Sequence, residues 1–405
     1  MEGVTRGVHP RVLTSPQSQW GANAMDERYS LMRGGLLYRL THAGGAAWTE
    51  RAYAPWIAFA LLMVVLVPVI VLCAMDGRVL GGVAVPLLRD YTVWARFLIA
   101  MPALVLAAPL ADERMWRSMS HLRNLVEPDD EANFQRALAK LRRWRDSPWP
   151  ELLLFAIAIA GVFAAPTLPL YEQVTSWRNE GAQLTPAGLW LSWVGFPVFR
   201  FLALLWLWRF MLWVCLIARF SRLDLALHAA HPDGCGGVGF LGYAHASFLV
   251  MPFVGGLLVA GSCAVDVEHL GVRLSGLHML LGGFAVFAIG TMLAPLLLLT
   301  PKLAALKRNS LLAYGALGTD TSEEFENRWL GRARRAAAPI LDGGDPSALA
   351  DLTAVYTTAS RMGTVPVQRW ILLQFIGATL LPLLPLLLLV MPLDELMQKL
   401  FSMLV

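Results

Sequence analysis

The sequence predicts an all-α protein, a polytopic bundle of membrane-spanning helices, and three observations carry that prediction. Of its 405 residues, 57% are hydrophobic and only 15% charged, against roughly 45–50% apolar and about 25% charged in a soluble domain. That excess of apolar sequence is more than a water-soluble core hides, so the solvent it anticipates is lipid. The apolar residues also fall into about seven runs, each close to the ~20 residues a helix needs to cross the hydrocarbon layer. Lysine and arginine, finally, collect in alternate connecting segments, as a chain that crosses back and forth requires. Barrel-type alternation of apolar and polar residues is absent, and helices are the other way to satisfy backbone polar groups in lipid.

The runs are Pro55–Met75, Val93–Ala111, Glu151–Leu170, Leu189–Leu216, Ser247–Val265, His278–Thr300 and Trp370–Met391. Residues 1–25 are expected to form a disordered extension; they lack the apolar core of a signal peptide. Residues 26–54 read as a cytoplasmic or interfacial segment and 55–392 as the bundle, with helical insertions at 112–148 and 301–368. Residues 393–405 read as an interfacial helix.

Orientation follows from the basic residues. The segment after the second run holds Arg114, Arg117, Arg123, Arg136, Lys140, Arg142, Arg143 and Arg145, and that after the sixth is equally basic, from Lys302 to Arg361. The alternate loops carry only Arg78 and Arg89, then Arg178, then Arg273. This places the N-terminus in the cytoplasm and the C-terminus outside. The formal charge is only +4, and the basic residues flank apolar spans rather than line one soluble face, so nucleic acid is not an expected partner. Membrane lipid is, and a homo-oligomer is allowed.

Two inside segments are expected to fold as a small helical layer. In the first, Glu127-Pro128-Asp129-Asp130-Glu131 opens a helix that Lys140 to Arg145 close, acid at the start and base at the end, as the helix dipole favours. Phe134, Leu138 and Leu141 give it an apolar stripe. In the second, Thr321-Ser322-Glu323-Glu324 fits a capping box that would open a helix, and Asp345-Pro346 fits a cap followed by a first helical position.

Chemistry-bearing letters concentrate in one stretch, His228-Ala-Ala-His231-Pro-Asp233-Gly-Cys235-Gly236-Gly237-Val-Gly239-Phe-Leu-Gly242. Its tail spells G-x-G-x-x-G, but a dinucleotide fingerprint needs a strand before the glycines and an acid about 20 residues on. Here a membrane span lies on either side. A transition metal such as zinc would find nitrogen, oxygen and sulfur in His228, His231, Asp233, Cys235 and His245, with His228 and His231 on one face of a helix that Pro232 ends. No established spacing matches. The structural reading makes Asp233-Gly234 a turn, with Gly236, Gly237, Gly239 and Gly242 letting the backbone lie close to neighbouring helices. Irregular backbone at that depth must be covered by protein or water. The four cysteines, Cys73, Cys215, Cys235 and Cys263, show no disulfide or zinc-ribbon spacing.

On His231-Pro232-Asp233, Gly236 to Leu241, Leu349-Ala350-Asp351-Leu352, Pro366 and the Leu/Pro-rich last span, the chain resembles a family of bacterial multi-pass inner-membrane proteins marked by an HPD-x-x-GG-x-GFL cytoplasmic loop. The likeness runs from about Asp26 to the end. Val238 stands where the pattern leads one to expect Leu. The resemblance implies the multi-span fold and the inner membrane, and it brings no activity with it.

Arg200 is the costliest residue inside a span, at roughly 2.5–3.5 kcal/mol near the bilayer centre; it must face protein or water. No acidic residue falls mid-run, which disfavours a proton relay. Prolines interrupt most runs, among them Pro68, Pro102, Pro109, Pro197 and Pro295, and bend their helices. The leading functional expectation is therefore a non-enzymatic solute or ion path without a cofactor, channel- or transporter-like. Arg200, His231, Asp233, Gly236, Gly237 and Gly239 would line or gate it. The alternatives are a metal-dependent enzyme acting on a lipid-like substrate, and a scaffold for a cytoplasmic partner.

Overall fold

The computed structural model describes residues 50–164, 175–181, 183–273, 276–329 and 345–386. The 1–25 extension, the 393–405 tail and the end of the third predicted span lie outside them. Almost everything described is helix: α1 (Glu50–Met75), α2 (Tyr91–Asn124), α3 (Glu131–Asp146), α4 (Pro148–Ala164), α5 (Pro186–Phe220), α6 (Phe240–Leu270), α7 (His278–Leu297), α8 (Thr300–Trp329), α9 (Asp345–Arg361) and α10 (Arg369–Leu386). Six of them, α1, α2, α5, α6, α7 and α10, are long and apolar enough to cross a membrane. A seventh crossing comes from α4 if it is taken together with α3 across a 45° bend. The chain is thus an integral, multi-pass α-helical membrane protein.

Side-chain placement follows from that solvent. Trp56, Phe59, Phe163, Met279, Val286 and Phe287 are large, apolar and more than half exposed. Water would not tolerate such a belt, but acyl chains cover it at no cost. The core lies between the helices and under their end layers, where Phe97, Phe134, Trp177, Trp213, Phe220, Phe248 and Phe375 are fully buried. Close approach is arranged by small residues. A Cβ at Gly256 would sit 2.9 Å from the Thr379 carbonyl oxygen of α10, and Ala260 and Ala264 pack with Leu386 on the same face.

Two helices change pitch for a reason legible in the sequence. Residues Trp94–Ala100 of α2 and Leu191–Gly195 of α5 are π-helical. Each precedes a proline, Pro102 and Pro197. Proline donates no N–H, and its ring collides with the carbonyl four residues back, here Leu98 and Trp193. The wider π turn accommodates that carbonyl.

The helix ends sort into two layers. At one end the α1–α2 connection, the hairpin of β1 (Asn179–Glu180) and β2 (Gln183–Leu184), and the end of α6 meet. Arg78 pairs with Glu180, the Trp177 indole donates to Asp90 Oδ2 at 3.0 Å, and His269 Nε2 lies 3.1 Å from the Arg89 carbonyl oxygen. At the other end, Val126 bridges Leu225 and Lys307 donates to the Met362 carbonyl oxygen at 2.8 Å. This second end carries α3 and the α8–α9 hairpin.

Two local expectations are corrected. Thr321 does not cap a new helix: α8 runs unbroken from Thr300 to Trp329, and the Thr321 hydroxyl donates to the Leu317 carbonyl oxygen one turn back at 2.7 Å. With no proline or loop to stop α8, the hydroxyl turns to its own helix. His228 and His231 are not on a helix either. Helix α5 ends at Phe220, and the chain then pairs with residues 126–127, so His228 and His231 sit in a turn closed by the His231 N–H on the His228 carbonyl oxygen, 3.0 Å. In α3, by contrast, Phe134 and Leu141 are buried as the stripe predicts.

Candidate functional site

The glycine-rich loop is a nest of backbone N–H groups filled by its own carboxylate. Asp233 Oδ1 accepts from the N–H of Cys235 at 2.8 Å and of Gly237 at 3.1 Å, and Oδ2 accepts from the N–H of Gly239 at 2.8 Å. His231 Nδ1 lies 2.9 Å from Oδ1. Gly236 and Gly237 have φ of +71° and +98°, a left-handed region that side-chained residues avoid. That conformation turns successive N–H groups toward one point. Burial pushes the Asp233 carboxyl up, but the three N–H bonds and His231 outweigh it and hold the group below the usual carboxylate range. The Cys235 thiol is pushed up to about 11, first by burial and then by Asp233, so it stays protonated and weakly nucleophilic.

This geometry answers the nucleotide reading of the glycines: the N–H groups a phosphate would need are already occupied. The loop is clasped from outside as well. The Gly363 N–H donates to the Gly234 carbonyl oxygen at 2.8 Å. A Cβ at Gly242 would sit 2.7 Å from Ile371 Cδ1.

The five candidate metal ligands are not gathered in one place. Among the described residues no three His, Cys, Asp or Glu side chains converge as a metal site. His245 lies apart inside the bundle, fully buried. Its Nδ1 accepts from the Trp213 indole at 2.8 Å, and its Nε2 lies 2.5 Å from the Met292 carbonyl oxygen. Both ring nitrogens are engaged within a cage of Phe210, Phe248 and Phe375 rings.

Arg200 is sheltered, as its cost demands, but not by the loop. It lies 20 residues before the end of α5, about 30 Å away along the axis at 1.5 Å per residue. Its Nη1 points at the Ala158 carbonyl oxygen of α4, 3.5 Å away, over Gly161, where a Cβ would come within 2.7 Å of the same nitrogen. Its guanidinium carbon lies 5.7 Å from the centre of the Phe196 ring.

Phe196 leads to the site that the motifs missed. The guanidinium carbons of Arg96 and Arg178 lie 5.0 and 4.8 Å from the same ring centre. A cavity of about 170 Å³ opens beside them, at the end of the bundle opposite the loop. Arg96 comes from the π turn of α2, and Phe196 follows the π turn of α5. Arg178 comes from the hairpin and donates to Ser192 Oγ at 3.2 Å. The lining continues with Ser262, Asp266 and His269 from the last turns of α6. Asp90, at the start of α2, also lines it with its oxygens engaged, Oδ2 by Trp177 at 3.0 Å and Oδ1 by the Thr92 N–H at 3.1 Å.

Arg178, Asp90 and Asp266 are charged letters at span edges, where charge is ordinary, so nothing in the sequence marks them. The one available signal was Arg96 four residues into an apolar run and six before a proline. No family model, curated protein or solved structure matches this chain.

Proposed function

We propose that this integral membrane protein forms a solute path of channel or transporter type, with the Arg96–Arg178–Phe196 cavity as the solute site. The observation that carries this reading is a charged cavity built into a bundle whose outer face belongs to lipid. Arg96 lies inside a span, where an arginine is expensive, and the cavity is flanked by two π turns, Trp94–Ala100 and Leu191–Gly195. π turns inside helices recur at functional sites. A fold that needed only stability would fill the space with leucine.

The glycine loop fits the role of a latch at the far end. Its polar groups are satisfied internally and by the Gly363 clasp, so opening it costs several hydrogen bonds at once. Just beyond the loop, the cage around His245 packs α5, α6 and α10 together. By the distribution of basic residues the loop faces the cytoplasm and the cavity faces the periplasm of a bacterial inner membrane.

The test is uptake by proteoliposomes of a panel of radiolabelled carboxylates, amines and amino acids. Protein-dependent uptake of at least one class is expected, reduced at least tenfold by Arg96→Gln combined with Arg178→Gln. Uptake no greater than in protein-free vesicles across the panel would sink the reading.

A further inference from the structure

We infer that the α4–α5 groove at Arg200 binds the phosphate of an anionic phospholipid, whose acyl chains lie outside the bundle along Phe163 and Trp193. The site is separate from the solute cavity, whose lining does not include Arg200.

Arg200 lies about 21 Å along α5 from Pro186, at 1.5 Å per residue. A guanidinium offers five N–H donors and accepts nothing, and the chain answers those donors sparingly. Nη1 reaches the Ala158 carbonyl oxygen at 3.5 Å, the long limit of a hydrogen bond. The Phe196 ring lies 5.7 Å from the guanidinium carbon. Beyond these two contacts, no carboxylate or further acceptor among the described residues engages Arg200. Arg96 and Arg178 share the Phe196 ring but differ: both have further contacts within the chain, and they line the cavity together with Asp90 and Asp266. The one carboxylate of α4, Glu151, is buried and has its own partner; it stands about 10 Å along α4 from Ala158.

The groove is shaped for the guanidinium. A Cβ at Gly161 would lie 2.7 Å from Nη1 and 3.0 Å from the guanidinium carbon, so the group fills the notch that glycine leaves in α4. Arg200 is only half-buried there. On the same two helices Phe163 and Trp193 meet edge-on at 5.3 Å, and both are more than half exposed, on the face that acyl chains cover.

The side chain also reaches toward the membrane surface. Helical side chains lean toward the start of their helix, and this guanidinium has come back one turn, to Phe196. Trp193 is three residues further back, about 5 Å along the axis. An exposed indole belongs at the headgroup level, and the Trp193 N–H has no acceptor among the described residues. A long cationic side chain at this depth snorkels toward the headgroups.

A phospholipid phosphate meets the need. It brings a full negative charge, and its oxygens suit the paired hydrogen bonds of a planar guanidinium. Water would hydrate the donors but leave the charge uncompensated at a costly depth. A water-soluble anion would have to leave water to enter a lipid-facing groove, whereas a phospholipid is already there.

The experiment is native mass spectrometry of the full-length protein released from detergent. It is titrated with dioleoylphosphatidylglycerol and, separately, with dioleoylglycerol, which lacks the phosphate; inorganic phosphate serves as competitor. Dioleoylphosphatidylglycerol is expected to bind tenfold or more tightly than dioleoylglycerol and to resist displacement by inorganic phosphate in large excess. Arg200→Gln is expected to weaken its binding at least fivefold. So is Gly161→Leu, which fills the notch and leaves the charge unchanged, so that either variant carries the test if the other fails to fold. Arg136→Gln with Lys140→Gln, in α3 at the opposite end of the bundle, is expected to leave binding within twofold. Equal binding of the two lipids would overturn the inference. Displacement by inorganic phosphate would make the groove a free-anion site and overturn the lipid assignment. An equal loss in the α3 variant would mark general attraction to basic residues and do the same. The uptake assay reads other residues, so the failure of either proposal leaves the other standing.

Discussion

The two ends of the bundle hold similar polar letters and use them in opposite ways. At the loop end, Asp233 accepts three backbone N–H groups within its own turn, and Lys302 and Lys307 donate to the carbonyl oxygens of Leu223 and Met362. At the cavity end, two guanidinium groups and the Asp266 carboxylate face a shared space. A buried charge is costly until something pairs with it. Where the chain supplies the partner, the charge is architecture. Where charged groups also line a cavity, a solute can add to the partners the chain supplies. The loop looked the richer in chemistry and turns out self-contained; the cavity is built from unremarkable letters.

Four measurements press on that contrast. The largest effect is expected from Arg96→Gln with Arg178→Gln. Each hydrogen bond to a charged group contributes about 1.5–3 kcal/mol, so the tightest of the probe solutes should bind about 100-fold more weakly. Unchanged affinity by titration would remove the cavity as a site and with it the contrast.

Next comes Asp233→Ala, which strands three N–H groups of a packed loop. A stability loss of about 2–3 kcal/mol is expected from denaturant unfolding in detergent, with faster solute leak through proteoliposomes as the latch loosens. A loss below about 0.5 kcal/mol would mean that the nest is not what holds the loop.

Gly236→Ala should cost about 1–2 kcal/mol for its left-handed backbone alone, and more for crowding, since the new Cβ would lie 3.1–3.2 Å from Met362, Leu303 and Leu306. Gly234→Ala isolates the backbone part: its φ is +65° with nothing within 4 Å of a Cβ. Equal losses for the two would show that the loop does not press on the helices around it.

The smallest effect is with pH. The Asp233 carboxyl is held below its unfolded value, which is about 3.9. Its contribution is therefore complete above that value and is lost as pH falls through the lowered one. The stability gap between wild type and Asp233→Asn should shrink as pH falls below about 4, by a modest amount because the group is partly solvated. A gap that widens below about pH 4 would reverse the assignment of His231 and the N–H groups as its stabilisers.

Much of the architecture was legible in the sequence because it depends on local periodicity. The apolar runs mark the spans, and the basic segments mark which connections share a side. Pro102 and Pro197 announce disturbed helices, though not that both would relax into π turns beside one cavity. Arg200 reads correctly as a residue in need of shelter, but its shelter is Ala158 and Gly161 of α4 rather than the glycine loop. The loop residues were found as a group, while the use of Asp233 as the filler of its own nest depends on φ angles that letters do not spell.

Composition and the rhythm of apolar runs by themselves settle that this chain dissolves in a bilayer as helices, because the cost of placing backbone and apolar side chains is paid locally, residue by residue. Which charges fill the loop and which line the cavity was decided only in three dimensions. A guanidinium and a carboxylate acquire a role from what lies within a few ångströms, and those neighbours, Arg96, Arg178, Phe196 and Asp266, come from four separate stretches of chain.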